Sequence, residues 1–285
     1  TVYSGHQFGQ WAGQLGDGSN TNRSIPSAVS GLSDAVALSI GYVHSCALQS
    51  GGGVVCWGGN NSLQLGDGLT STDRSIPAPV WGLSDAVALS AGYKHNCALK
   101  RDGGVVCWGY NGNGELGDGG TVQVSAKPMV VAGLSGVVAL AAGGDHTCAL
   151  KSDGTVVCWG ANDQGQLGDG SGIGIRTPTA VAGLSGVVAV TAGLFHSCAL
   201  KSDGSLVCWG ANGAGQLGDG STTSRAVPTA IPGLSHVAVV AAGYFHTCAL
   251  NGNGNVACWG TGNSGQLVNS NNTPTDSGAG AVFWK

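Results

Sequence analysis

The 285-residue chain is long enough for one large domain or two small ones, with ample core. Charged residues make up 9% of it, hydrophobic residues 42%, and 53 positions are glycine, which describes a turn-rich protein of buried strands and excludes a disordered one. A formal net charge of −4, with no Lys/Arg cluster longer than two residues, excludes the basic footprint of a nucleic-acid binder, and no apolar run approaches the ~20 residues of a membrane span. No signal-peptide pattern stands before Thr1, and the first residue is not Met, so a mature form or a fragment is expected.

The first motif is SGHQFGQWAGQLGDG at residues 4–18, with five glycines. A glycine-rich loop holds a phosphate where crowded N–H groups or a following helix N-terminus face the anion. Here the next residues, SNTNRSIPSAVSGLSDAV from Ser19, parallel LTSTDRSIPAPVWGLSDAV from Leu69. GQLGDG is thus in register with later copies that sit on a strand and turn rather than before a helix. Trp11 is out of register, since the repeat would place Trp at Gln7.

The copies define the chain. LGDG begins at Leu15, Leu65, Leu116, Leu167 and Leu217, in steps of 50, 51, 51 and 50, and Leu267 stands one step further in GQLVNS. CWG begins at Cys56, Cys107, Cys158, Cys208 and Cys258, and an HxCAL element begins at His44, His95, His146, His196 and His246. Units fall at 19–68, 69–119, 120–170, 171–220 and 221–268 of a single domain over 1–285, with 1–18 and 269–285 sharing a terminal unit. Within each, AVALSAG, HTCAL and VVCWG are Val-rich runs bounded by Gly, Asp and Ser, the signature of strands, and no segment holds a 3.6 period. Strands apolar on both faces need cover on both sides. Units of about 50 residues with four short strands satisfy that need as the radial blades of an all-β propeller. Six blades are expected, with a truncated seven-bladed ring as the alternative. Closing the ring would pair AVFW at 281–284 with residues 1–3.

In KSDGT at 151–155, the loop Ser-Asp-Gly suits a type I turn closed by a left-handed residue, and Gly52, Gly103, Gly154, Gly204 and Gly254 hold that place throughout. Pairing Lys151 with Thr155 sets Cys148 opposite Cys158 at a close, non-hydrogen-bonded position, where a cross-strand bridge fits. The same register pairs Cys46 with Cys56, Cys97 with Cys107, Cys198 with Cys208 and Cys248 with Cys258, using all ten cysteines. Disulfides are the expected state and point to an extracellular or periplasmic location. Reduced core thiols and a metal site built on His44, Cys46 and Cys56 are the alternatives.

The recurring His lacks a partner Ser or carboxylate at a useful spacing and reads as a structural hydrogen-bonder. The Asp of LGDG (Asp17, Asp67, Asp118, Asp169, Asp219) reads as an Asx turn, because one Asp per 50 residues supplies too few oxygens for calcium. Trp57, Trp108, Trp159, Trp209 and Trp259 read as apolar fillers between blades. No catalytic, cofactor-binding or metal-binding residue is assigned, and no cofactor is expected.

The pattern GxxHTCAL, a Gly-closed turn and VxCWGxNxxGQLGDG resembles the repeat of the regulator of chromosome condensation superfamily, with AAGYFHTCALNGNGNVACWG at 241–260 as a good instance. Kelch repeats are of similar length but space their glycines and aromatics differently. The resemblance implies a β-propeller, usually of seven blades, that serves as a protein-interaction platform. Relatives in that superfamily include a nucleotide-exchange factor for a small GTPase, secreted β-lactamase inhibitors and a plant ultraviolet-B photoreceptor. This chain has no basic tail and no matching exchange-loop residues, and Trp11, Trp81 and Trp284 alone lie outside the repeat. The stretch at 4–18 also resembles the glycine-rich segment of the selenoprotein O family, over some 15 residues that no catalytic carboxylate or kinase-like helix follows.

In a propeller the strands carry the fold and the loops of one rim carry recognition. The two residues before each His vary and are rich in aromatics, which makes Tyr42, Tyr93, Lys94, Asp145, Phe195, Tyr244 and Phe245 the candidate partner-binding rim. One of each pair could instead pack between blades. The function expected is non-enzymatic, exported protein binding. A regulator of a small GTPase and a carbohydrate-binding propeller are the alternatives.

Overall fold

The computed structural model describes residues 12–262 and 265–267, and the backbone of one further strand within 275–282. Among these residues there is no helix, and twenty strands form five antiparallel four-stranded sheets in meander order. The first sheet is β1 (Ala35–Ile40), β2 (His44–Gln49), β3 (Val54–Gly58) and β4 (Arg74–Pro79). The second is β5 (Ala86–Ala91), β6 (His95–Lys100), β7 (Val105–Tyr110) and β8 (Val124–Val130), and the third is β9 (Val137–Ala142), β10 (His146–Lys151), β11 (Val156–Gly160) and β12 (Ile175–Ala180). The fourth is β13 (Val187–Ala192), β14 (His196–Lys201), β15 (Leu206–Gly210) and β16 (Arg225–Ala230). The fifth is β17 (Val237–Ala242), β18 (His246–Asn251), β19 (Val256–Thr261) and β20 (Thr275–Val282).

Each sheet is a blade. The ends of β1, β5, β9, β13 and β17 surround a central opening of about 470 Å³. The middle strands, apolar on both faces in the sequence, are the most buried: every residue of β3 is covered, as are five of six in β2. The fourth strand of each blade lies in the next sequence unit, as β4 at 74–79 lies within 69–119. LGDG therefore bridges the third and fourth strands instead of ending a blade.

The hairpin register is the expected one. Lys151 N–H donates to the Thr155 carbonyl at 2.9 Å, Gly154 N–H donates to the Lys151 carbonyl at 3.0 Å, and Cys148 faces Cys158. Gly154 takes φ +77°, the left-handed conformation that closes this turn and that a side chain would strain. All ten cysteines form five disulfides across the second and third strands, each with Cα atoms 4.1 Å apart.

The apolar core lies between blades, in four equivalent layers. Cys46, Leu48 and Leu65 of the first blade pack on Ala98 and Trp108 of the second, and Cys198, Leu200 and Leu217 of the fourth pack on Ala249 and Trp259 of the fifth. Leu65, Leu116, Leu167, Leu217 and Leu267, the leucines of the LGDG register, are each at most 1% exposed, so that recurring residue fills the interface.

Five blades are described where six were expected. The first LGDG, at 15–18, is present as its loop without a sheet of its own among the described residues: Gln14 contacts Trp57 and Ser45 as Gln64 contacts Trp108 and Asn96 one blade on. The expected pairing of 281–284 with 1–3 involves residues outside those described. Within the tail, β20 lies beside β19, with Val282 opposite Val256.

Candidate functional site

A repeated polar staple between blades fixes the rim loops. The residue before each LGDG points its carbonyl at the next blade. Trp57 and Trp108 donate their indole N–H groups to the carbonyls of Gln14 and Gln64 at 2.8 and 3.0 Å. Trp159 uses the Glu115 carbonyl at 2.8 Å, and Trp209 and Trp259 use those of Gln166 and Gln216, each at 2.9 Å. The same carbonyls accept Ser45 Oγ, Asn96 Nδ2, Thr147 Oγ1, Ser197 Oγ and Thr247 Oγ1.

The last four of those side chains also meet the histidine of the preceding blade. His44 Nε2 lies 2.9 Å from Asn96 Oδ1, His95 Nε2 2.9 Å from Thr147 Oγ1, His146 Nε2 2.8 Å from Ser197 Oγ and His196 Nε2 2.9 Å from Thr247 Oγ1. Burial drives the His44 ring down to about 4 and the other three to about 3, so all four are neutral structural groups. The LGDG aspartates make the expected turns: the N–H of Ser19, Leu69, Gly120, Ser171 and Ser221 each donates to the Asp two residues back.

The asparagine of VxCWGxNxxGQLGDG, to which the sequence reading gave no role, holds this loop. Asn60, Asn111, Asn162 and Asn212 accept through Oδ1 the N–H of Leu65, Leu116, Leu167 and Leu217 at 2.9–3.0 Å. Through Nδ2 the last three reach the LGDG Asp at 3.0–3.3 Å. Its recurrence two places after CWG was the available signal. The fifth blade carries Gly262 at that place.

On this scaffold the residues before each His gather around the axis. Tyr42, Tyr93, Gly144, Leu194 and Tyr244 line the central opening. Tyr42 stacks on Tyr93 at 4.2 Å, and Tyr244 lies 6.0 and 6.3 Å from those rings. Burial pushes the phenols of Tyr93 and Tyr244 above their ordinary value, and Tyr244 still exposes 42% of its surface. Lys94 Nζ sits 5.5 Å from the Tyr93 centroid. Phe195 and Phe245 stand outside this cluster, 6.4 Å apart, and Tyr244 joins the groups at 6.5 Å from Phe245.

Beside the opening runs a groove of about 680 Å³ across the second to fifth blades, with Asp145, Phe195 and Phe245 in its walls. Burial raises the Asp145 carboxyl above the usual range, and the charge of Lys94 opposes that rise. Glu115 is buried and its carboxyl is also raised, by burial first and by the charge of Asp145 to a lesser degree, although it accepts both N–H and Nδ2 of Asn113. Among the described residues no group of three or more His, Cys, Asp or Glu is placed to hold a metal ion.

The RCC1-like domain family matches residues 12–279. The chain is 35% identical over 161 residues to the human probable E3 ubiquitin-protein ligase HERC6, which spans 54% of this chain and 16% of that protein. It is 35% identical over 160 residues to the mouse regulator of chromosome condensation, 55% of this chain and 38% of that protein. To the ultraviolet-B receptor UVR8 of Arabidopsis thaliana it is 35% identical over 165 residues, 55% of this chain and 37% of that protein. These matches thus span 16 to 38% of the curated relatives' own lengths. Among solved structures, human WBSCR16 is similar with a TM-score of 0.79 at 23% identity, over 88% of this chain and 67% of that one. Yeast RCC1 (Prp20), solved bound to Kap60, is similar with a TM-score of 0.77 at 26% identity, over 87% of this chain and 61% of that one. With the match running from 12 to 279 and the same blades in solved relatives, this chain belongs to the RCC1-like domain family.

Proposed function

We propose that the chain is a non-enzymatic, exported propeller that binds a partner protein through the rim bearing Tyr42, Tyr93, Lys94, Asp145, Phe195, Tyr244 and Phe245. The observation carrying this reading is the convergence of three tyrosines and two phenylalanines from the first, second, fourth and fifth blades on one face. Half-exposed aromatics with charged side chains such as Lys94 and Asp145 nearby are the usual anchors of a protein interface. Yeast RCC1 (Prp20) is bound to Kap60, and Prp20p has binding properties to Gsp1p and histones, all of them proteins. Export rests on the five disulfides, which persist in oxidising compartments.

Affinity capture from the native extracellular milieu tests the rim, with wild type compared against a Tyr42→Ala, Tyr93→Ala, Tyr244→Ala triple variant. Partners lost from the variant are the expected result; partners retained equally reject the rim. Alkylation without reduction of the protein isolated from its source tests export: no labelled thiol is expected, and ten would reject it.

A further inference from the structure

The groove across the second to fifth blades is lined by polar side chains that keep a donor or acceptor no described residue takes up. Gln166 and Gln216 are 1% and 2% exposed, and both line it. Their Oε1 atoms accept the N–H groups of Gln164 and Ala214 at 2.9 Å, but neither Nε2 donates to any described residue. Asp145, half-buried in the same wall, makes no hydrogen bond or ion pair through its carboxylate among the described residues. Asp163 stands exposed on the lip, and neither Lys nor Arg lines the groove.

Amide donors that face an open groove are met by a ligand's acceptors, and a half-buried carboxylate with no hydrogen bond to the described residues is met by a cation. The walls narrow the choice. Phe195 and Phe245, tilted 46° with ring centroids 6.4 Å apart, line the same groove as Asp145. A guanidinium is planar, permanently charged and weakly hydrated, so it stacks on phenyl faces while its N–H fork meets a carboxylate. An ammonium lacks the plane. A neutral sugar would stack but bring no charge to Asp145, whose nearby cation, Lys94, is outside the groove lining.

We infer that this groove takes an arginine side chain presented by the partner protein: guanidinium packed on the wall formed by Phe195 and Phe245 and against Asp145, with flanking peptide carbonyls accepting from Gln166 and Gln216 Nε2. A volume of about 680 Å³ admits the side chain and its neighbouring peptide groups. The inference rests on the rim reading and names the chemistry of its partner.

The test uses the whole chain with disulfides intact and four probes followed by saturation-transfer NMR. They are N-acetyl-Gly-Arg-Gly-amide, its Lys counterpart, its citrulline counterpart, in which a neutral urea replaces the guanidinium, and cellotriose. The arginyl peptide is expected to bind saturably with a Kd on the order of millimolar, at least ten-fold tighter than the citrulline peptide and tighter than the lysyl one. Asp145→Asn should abolish the ten-fold preference, and Asp153→Asn, in the opposite hairpin loops, should keep it. Phe245→Ala, at a position 40% exposed and so tolerant of truncation, should weaken the arginyl peptide at least five-fold. No saturable arginine binding, equal binding of citrulline or lysine, tighter binding of cellotriose, or an arginine preference that survives Asp145→Asn would each overturn the inference. Captured partners that depend on the three tyrosines but bind Asp145→Asn normally would leave the rim standing and remove the arginine. Arginine binding by a chain whose captured partners ignore the tyrosines would do the reverse.

Discussion

A histidine enclosed between two blades is neutral because water cannot reach the charged form. The pH dependence of stability follows. In the unfolded chain His44, His95, His146 and His196 take protons near the ordinary 6.5, whereas in the fold burial holds them down to about 4 or 3. Their contribution is complete above about pH 6.5 and is lost as pH falls towards the folded values. The limiting slope is about 1.4 kcal/mol per histidine per pH unit. Denaturant midpoints should therefore drop steadily from pH 6.5 to 4.5. Carboxylates such as Asp153, which the Thr155 hydroxyl holds down to about 2, act only below that window, while the raised carboxyls of Asp145 and Glu115 oppose the four histidines as pH falls and are outnumbered by them. A flat profile from 6.5 to 4.5 would mean that the rings are hydrated.

The LGDG glycine permits another residue-scale test. At Gly168, φ is +70° and an added Cβ would lie 2.7 Å from Trp209 Nε1, whereas at Gly183, φ is +63° with nothing within 4 Å. Gly183→Ala should cost only the left-handed strain, about 1–2 kcal/mol. Gly168→Ala adds the clash with a buried indole and should cost clearly more by thermal or denaturant unfolding. Equal costs would show that the indole moves freely.

At the scale of elements, each hairpin is closed by a glycine turn and a disulfide, and both were legible in the sequence. KSDGT fixed the register, and Cys148 and Cys158 fell opposite because strand residues pair one to one. Replacing both with Ser removes an 11-residue loop constraint worth about 3 kcal/mol at most, and loses packing in an interface where both residues are 0% exposed. Urea unfolding of that variant should show a loss of at least about 2 kcal/mol; no loss would place the bridge outside the stability of the fold. The fourth strands were less legible. β12, IRTPTA, mixes Pro with polar residues and lies in the following motif unit, so local patterning gave little sign that it finishes the blade. The histidine partners were illegible for a related reason: Asn96 and Thr147 lie 52 residues from His44 and His95, across a blade boundary that no local periodicity marks.

For the whole molecule, stability resides in contacts between neighbouring blades, as expected of a repeat protein whose units cannot bury their faces alone. Trp209→Ala removes a fully buried indole and its hydrogen bond to Gln166, and should cost about 3–5 kcal/mol. The period announced a propeller because every blade repeats the same buried positions. Blade number was harder to read, since LGDG at 15–18 serves the first blade as a docking loop and builds no sheet of its own among the described residues. The rim was legible only as variability ahead of each His. The groove residues Gln166 and Gln216 were concealed, because the same glutamine that lines it also presents its carbonyl to the structural staple.

The central claim is that one face of the ring receives a protein, and amide hydrogen exchange of the captured complex tests it most directly. The hairpin loops at 50–53, 101–104, 152–155 and 202–205 lie at the opposite ends of the second strands from the rim loops, so the two faces report separately. Protection on binding is predicted at 42–43, 93–94, 144–145, 194–195 and 244–245, with the hairpin loops unchanged. Protection confined to the hairpin loops would contradict the account.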